Sequence, residues 1–437
     1  MLLRVIFENF LSFNRPTAFD MFPNPKRTSL GEHIYEGGRV PLLKMAAIYG
    51  PNGSGKSNFV KGVGFIRQFA INKNYLDTLR QSGDYSRLFF CLKENIEPIK
   101  FFVEFSNSDR YFIYSATLSE KGVDEEVLYE SGLGKKENVL IYKREGGNVS
   151  FGTNGTETIV TATKSLLRKN PYSSLLSLNQ DFPIIDDNAV KIAYKWFLSK
   201  LDIITINSHL PELIEIVRKD KALKDFTNRV FQACGIGIKN LSVQEEEFEN
   251  WAKQHSLLAS KIPELGKNMG LTLFNDNRQA YSVFQDKVYH FMFLQEGVNG
   301  YQGELDSLSQ SDGTIRLLTL IPALYKAIKK DYVVVVDEIN NCLHPTIVEG
   351  IVRMFAQDKN SKGQLVFTTH DIELMDVKDV LRSDEIWFAD KLHGETMMYS
   401  HNDFKEHHTI SKGRGYRDGR YGAIRYMKKI HGEDEVC

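Results

Sequence analysis

The run Gly50-Pro-Asn-Gly-Ser-Gly-Lys56-Ser57 restricts this chain more than any other feature. It fits GxxxxGK[ST], in which a turn between a strand and a helix wraps successive backbone N–H groups around phosphate oxygens at the helix N-terminus. Glycines are needed because the backbone curls tightly around the anion. Average composition produces the pattern in roughly 2 of 100 chains of this size, and its flanks narrow the odds further. Leu42 to Tyr49 is an apolar run that reads as a buried strand, and from Lys56 to about Leu79 apolar residues recur at helical spacing (Phe59, Val63, Ile66, Phe69, Ala70). The nucleotide-binding set is then Gly50, Asn52, Gly53, Ser54, Gly55, Lys56, Ser57 and Asn58. Lys56 would reach the β- and γ-phosphates and Ser57 would ligate Mg2+, so ATP and Mg2+ are the expected cofactors.

Three further runs carry chemistry. Val333-Val-Val-Val-Asp337-Glu338 reads as a buried strand ending in two acids, where Asp337 would hold the metal's water shell and Glu338 would polarise the attacking water. Thr368-Thr369-His370 closes another apolar strand, and His370 suits a γ-phosphate sensor. Leu308-Ser309-Gln310-Ser311-Asp312-Gly313-Thr314 precedes the helix that leads to the Asp337 strand. Ser311 or Thr314 would cap that helix, and the same N-terminus with a serine and a glycine can receive a γ-phosphate. Cys342 lies near Glu338 with no His or Asn arrangement to make it a nucleophile, and reads as a buried turn thiol.

Composition sets limits. Over 437 residues, 42% are hydrophobic and 25% charged, a globular mixture. The 55 Lys and Arg nearly cancel the 56 Asp and Glu, so attraction to nucleic acid or membrane must come from a local patch. Four scattered cysteines fit a reducing cytoplasm. The charged start and the lack of a long apolar stretch give neither a signal peptide nor a membrane span. Strands are expected at Leu2–Phe7, in hairpins over 99–118 and 125–144, and at Gln364–Thr369, Ile386–Phe388 and Met397–Tyr399. Helix dominates from Ser165 to about Ser256 without a heptad repeat, and a hairpin is expected around Gln279–Phe293. Residues 405–429 mix Lys and Arg with Tyr416, Tyr421 and Tyr426, which leaves nucleic-acid contact open beside a terminal cap or a partner-protein surface. His407-His408 is a poor metal set. No nuclease acid cluster accompanies Asp337-Glu338.

This order of motifs resembles the ABC-ATPase superfamily, in its RecF/SMC/OLD-like branch. Leu3-Arg-Val-Ile-Phe-Glu-Asn-Phe-Leu-Ser-Phe13 is similar to that branch's N-F-x-S-F start, Gly50 to Asn58 to its phosphate loop, Asp337-Glu-Ile-Asn-Asn-Cys-Leu-His-Pro345 to its Walker B and D-loop run, and Thr369-His370 to its switch histidine. Ser309-Gln-Ser-Asp-Gly-Thr314 stands where transporters have LSGGQ and lacks the double glycine. Gly415-Tyr-Arg-Asp-Gly-Arg-Tyr-Gly-Ala423 resembles the GRYGA ending of compact abortive-infection ATPases. The resemblance implies an α/β fold, an ABC-ATPase head (P-loop NTPase) with an antiparallel β-subdomain and a mainly helical insert. The lobes would be 1–160 with the phosphate loop, 161–304 as the insert, 305–400 with signature, Walker B and switch histidine, and 401–437 as a basic C-terminal segment. It implies a head-to-tail dimer or higher homo-oligomer with ATP between Lys56 of one subunit and Ser311 and Gly313 of the other, a Q-loop glutamine at Gln180, and Asn341 in the D-loop. Members of this group act in phage defence beside an effector nuclease or toxin, as in PARIS-like, RloB-associated or Septu-like pairs, which suggests a phage-derived trigger. A RecF-like DNA-repair ATPase is the alternative. A transporter subunit fits the start and the signature poorly.

Overall fold

The computed structural model describes residues 1–152, 155–183, 185–206, 213–260, 262, 271–275, 279–359, 361–404 and 411–426. His407, His408, Lys428 and Lys429 lie outside them. The chain divides into two compact units. The first holds Met1–Ile203, Asp331–Glu338 and the chain from Lys362 onward; the second holds Ile204–Lys330 and Ile339–Ser361. The expected boundaries at 160 and 304 do not coincide with these divisions. Residues 161–203 pack into the first unit, and the 305–330 stretch with Ser311 and Gly313 belongs to the second.

The first unit is built on two sheets. One is mainly parallel, in the order Leu201–Ile204, Val333–Val336, Gln364–Thr368, Met45–Tyr49, Ile386–Leu392, Glu395–Ser400, with the last strand antiparallel. Its central strands are covered on both faces, which is why they read as unbroken apolar runs; Val333 to Val336 are each 0% exposed. The other is antiparallel and seven-stranded, in the order Asn148–Phe151, Val139–Glu145, Gly122–Glu130, Arg110–Ser119, Ile99–Asn107, Leu2–Glu8, Thr17–Asp20. The helix Lys56–Ile71 shares one hydrophobic core with residues of both sheets. Phe59 meets Phe7 edge-on and Phe19 at a tilt, Phe65 meets Phe10, and Phe69 meets Phe101. Gln364 fastens the sheets together: buried, it accepts from the Leu2 N–H and donates to the carbonyls of Leu2 and Leu43.

A second fastening sits under the antiparallel sheet. The Glu126 carboxylate is fully buried and accepts from the hydroxyls of Tyr114 and Tyr142 and from the N–H groups of Leu175 and Leu176. It thereby holds the N-terminus of the helix Leu175–Asp181.

The second unit begins with the helices Leu213–Lys219 and Lys221–Cys234. It then departs from the expected mainly helical insert. Ile238–Glu247 is a strand paired along its length with Lys287–Glu296, and Leu271–Asn275, Gln279–Phe284 and Gln302–Asp306 complete a five-stranded antiparallel sheet. The run Glu245-Glu246-Glu247 is rich in a helix former, yet its pairing partner decides its state. The hairpin expected around 279–293 is present. The helices Asp312–Lys329 and Pro345–Gln357 finish this unit. His344 caps the latter through its ring nitrogen and Pro345 opens it, the physical content of the Leu-His-Pro run. Among the described residues no helix is long and apolar enough to cross a membrane.

Candidate nucleotide site

Three strands of the parallel sheet end together. Ile48 is level with Thr368 and Trp387, and Phe367 with Val336. The phosphate loop, Asp337-Glu338 and Thr369-His370 therefore leave the sheet at one carboxyl edge, where open α/β sheets place their ligands.

The loop's glycines are there for contact and conformation. A Cβ at Gly50 would lie 2.3 Å from the Ala389 carbonyl oxygen. Gly55 has φ +108°, and a Cβ there would meet the Thr396 hydroxyl at 2.2 Å. The helix that follows has no side-chain N-cap and no acid in its first turn. Its free N–H groups and positive dipole end are an anion site in waiting. Ser54 Oγ is buried without a partner among the described residues, pointing to the same ligand chemistry. The Lys56 ammonium turns back onto its own loop, donating to Gly50 O at 2.8 Å and Pro51 O at 3.1 Å. Burial lowers it to about 8, against the upward pull of Glu338 and Asp337.

Ser57 Oγ donates to Asp337 Oδ1 at 3.2 Å, and the Thr368 hydroxyl donates to the same oxygen at 2.7 Å. The Glu338 N–H in turn donates to Thr368 Oγ1 at 2.7 Å. Glu338 stands in the left-handed region with φ +48°, a conformation costly for a non-glycine residue and held by its surroundings. Its carboxylate lies 3.9 Å from His370 Nε2. Burial first, then the Lys56 charge, keep His370 below the usual imidazole range, with Glu338 and Asp337 opposing.

These side chains fit Mg-ATP. A hydroxyl and a carboxylate one hydrogen bond apart are hard oxygen donors, and Mg2+ takes few protein ligands beside phosphates and waters. Among the described residues no cluster of three or more His, Cys, Asp or Glu offers another metal site.

The loop is braced by hydrogen bonds whose partners could not be paired from sequence. Asn58 Nδ2 donates to Ser12 Oγ at 2.7 Å, Ser12 Oγ is 2.8 Å from Thr396 Oγ1, and the Thr396 hydroxyl donates to Ser54 O at 2.8 Å. Ser12 is the serine of the N-F-x-S-F start, so the opening motif serves as a strut for the phosphate loop. Thr396 belongs to no motif. Thr368 was visible only as the residue before Thr369.

The remaining expected residues take no part in the contacts described above. Gln180 is exposed near the end of the helix Leu175–Asp181. Ser311 and Gly313 belong to the second unit. Ser311 caps its helix, accepting from Thr314 N at 3.2 Å, and a Cβ on Gly313 would lie 2.7 Å from Cys342 O. Cys342 is exposed with φ +58°, not the buried thiol expected, because the turn it makes directs its side chain outward while its carbonyl meets Gly313. In the C-terminal segment Tyr416 and Tyr421 are buried against Phe388, and Arg425 pairs with Asp390. Two of the three tyrosines are thus spent on a terminal cap.

Motif order and strand order together define an ABC-type P-loop ATPase head. Residues 45–376 match the family described as AAA domain, putative AbiEii toxin, Type IV TA system. The chain belongs to that family. Among solved structures it is similar to the SMC head domain from Thermotoga maritima (13% identity, TM-score 0.40, covering 91% of this chain and 98% of that one). It is also similar to an SMC head bound to the C-winged helix domain of ScpA (14%, 0.42, 91% and 97%), and to an Smc head domain with an extended coiled coil bound to the C-terminal domain of ScpA, derived from Pyrococcus furiosus (12%, 0.40, 96% and 98%). Likenesses this distant carry neither family nor function. No curated protein matches the sequence.

Proposed function

We propose that this protein binds and hydrolyses Mg-ATP as a two-state switch, and that the switch senses phage infection and holds or releases a separate toxic effector, a nuclease or toxin. One observation carries the ATPase part: Lys56, Ser57, Asp337, Glu338 and His370 meet at the edge of one parallel sheet, before an uncapped helix N-terminus. Lys56 exchanges its loop carbonyls for the β- and γ-phosphates. Ser57 and Asp337 hold Mg2+, which neutralises charge on the phosphate oxygens. Glu338 orients water for in-line attack, and His370 donates to the γ-phosphate. Ser311 and Gly313 of a second subunit would close the site from the far side, so ATP binding joins two heads and hydrolysis parts them. The defence role is supported by the family's description as a putative toxin of a Type IV TA system, and by the GRYGA segment.

The test is to co-express Glu338→Gln with the genomic neighbours, purify with Mg-ATP, and weigh and identify the complex. A nuclease or toxin held only with ATP supports the effector reading. A bare dimer whose wild-type ATPase rises only with DNA sinks it in favour of the RecF-like alternative.

A further inference from the structure

The C-terminal segment does more than cover the head. Its helix Lys412–Arg417 lies on the turn Glu373–Met375 that follows His370. The Gly413 N–H donates to Asp376 Oδ1 at 2.8 Å, and Arg417 stands 3.9 Å from Asp376 Oδ2. The approach leaves no room for a side chain, since a Cβ on Gly413 would come 2.5 Å from Asp376 Oδ2 and 3.0 Å from Ile372 O. Lys412 Nζ fixes the helix from the other side by donating to Leu381 O at 3.0 Å. The segment then returns to the phosphate loop's flank. Asp390 accepts from Ala423 N and pairs with Arg425 at 2.6 Å, and Asp390 follows Ala389, whose carbonyl abuts Gly50. A cavity of about 360 Å3 is lined jointly by Gly50, Pro51 and His370 and by Tyr416, Ile424 and Arg425 of this segment.

We infer that residues 411–426 are the positioning element of the switch histidine, with the Asp376–Gly413 hydrogen bond as the clasp that sets His370 against the phosphate loop. The inference rests on the ATPase reading above and deepens it. The Thr369 N–H ties the strand end of this loop to the Ile48 carbonyl at 3.1 Å, the Asp376–Gly413 hydrogen bond ties its far end to the C-terminal helix, and small displacements of a transition-state group held between them are costly. Asp376 touches no reacting atom, so it acts on the rate through His370 and not on nucleotide affinity.

Full-length Asp376→Ala, Asp376→Asn and Gly413→Val proteins test this. Asn keeps the Oδ1 acceptor and gives up only a long, exposed ion pair worth little. Asp376→Ala and Gly413→Val are expected to lower kcat about tenfold or more while the Kd of a fluorescent ATP analogue stays within about twofold, with Asp376→Asn restored to near wild type. Hydrogen exchange of the amides of 370–376 should quicken in the first two variants and not in the third. Unchanged kcat and unchanged exchange in Asp376→Ala overturn the proposal, as does a loss of nucleotide affinity equal to the loss of kcat. If the wild type hydrolyses no ATP, the proposed function fails, while the exchange experiment still decides whether the clasp exists.

Discussion

Lys56 illustrates how one charge links folding to ligand binding. Burial holds its ammonium at about 8, against an ordinary 10.5. Between those values the unfolded chain binds more protons than the folded one, so the nucleotide-free protein gains stability as pH rises through that window; below about pH 8 both states are protonated and the cost of burial is felt in full. A triphosphate needs the charged form. ATP affinity is therefore expected to fall as pH rises past 8, by up to about tenfold per unit, which isothermal titration between pH 7 and 9.5 would read; a flat profile would show that burial does not bring the lysine's titration into this range. Lys56→Ala should abolish binding and remove the pH dependence with it. Thr368 is the other residue to test. Its hydroxyl donates to Asp337 and accepts from the Glu338 N–H, so Thr368→Val removes both of these hydrogen bonds and leaves Asp337 Oδ1 its bond from Ser57, at a cost of about 1–3 kcal/mol. A lower melting temperature together with a lower kcat is expected; a loss of stability alone would make Thr368 a packing residue.

Elements are set by their ends and their fastenings. Ser311 caps the helix Asp312–Lys329, and losing such a cap costs about 1 kcal/mol. If the same serine also meets a γ-phosphate from a second subunit, Ser311→Ala should lower the melting temperature by a few degrees and lower hydrolysis far more, with ATP affinity intact. Hydrolysis that falls no further than stability explains would leave Ser311 as a cap only. Gln364 serves the sheets as Ser311 serves its helix. Gln364→Leu strands three backbone groups between the sheets and is expected to cost about 3 kcal/mol or more, measurable as a shift in the urea midpoint.

For the whole molecule the proposal is assembly that follows nucleotide state. Glu338→Gln with Mg-ATP should double in mass by light scattering and return to the monomer when ATP is withdrawn, while Lys56→Ala stays monomeric throughout. A Glu338→Gln protein that remains a monomer at saturating ATP would remove the head-to-tail dimer and the trans role of Ser311 and Gly313 together. The second unit, with its five-stranded sheet and exposed Val298 and Tyr301, carries no motif that names a partner.

Sequence alone determined the parts whose chemistry is local. A tight turn around phosphate demands glycines at fixed spacing, a doubly covered strand demands an unbroken run such as Val333 to Val336, and a helix start demands a cap such as Ser311. Those requirements are written within a few residues of one another. Tertiary structure decided what depends on distant partners. It made a strand of Ile238–Glu247 because Lys287–Glu296 lies beside it, joined Ser12 and Thr396 to the phosphate loop, set Gln364 between two sheets, and turned the basic, tyrosine-rich C-terminal segment inward onto Phe388 and Asp376. Each of these is a hydrogen bond or packing contact between residues tens to hundreds of positions apart, and no periodicity or spacing along one chain encodes which pairs will meet.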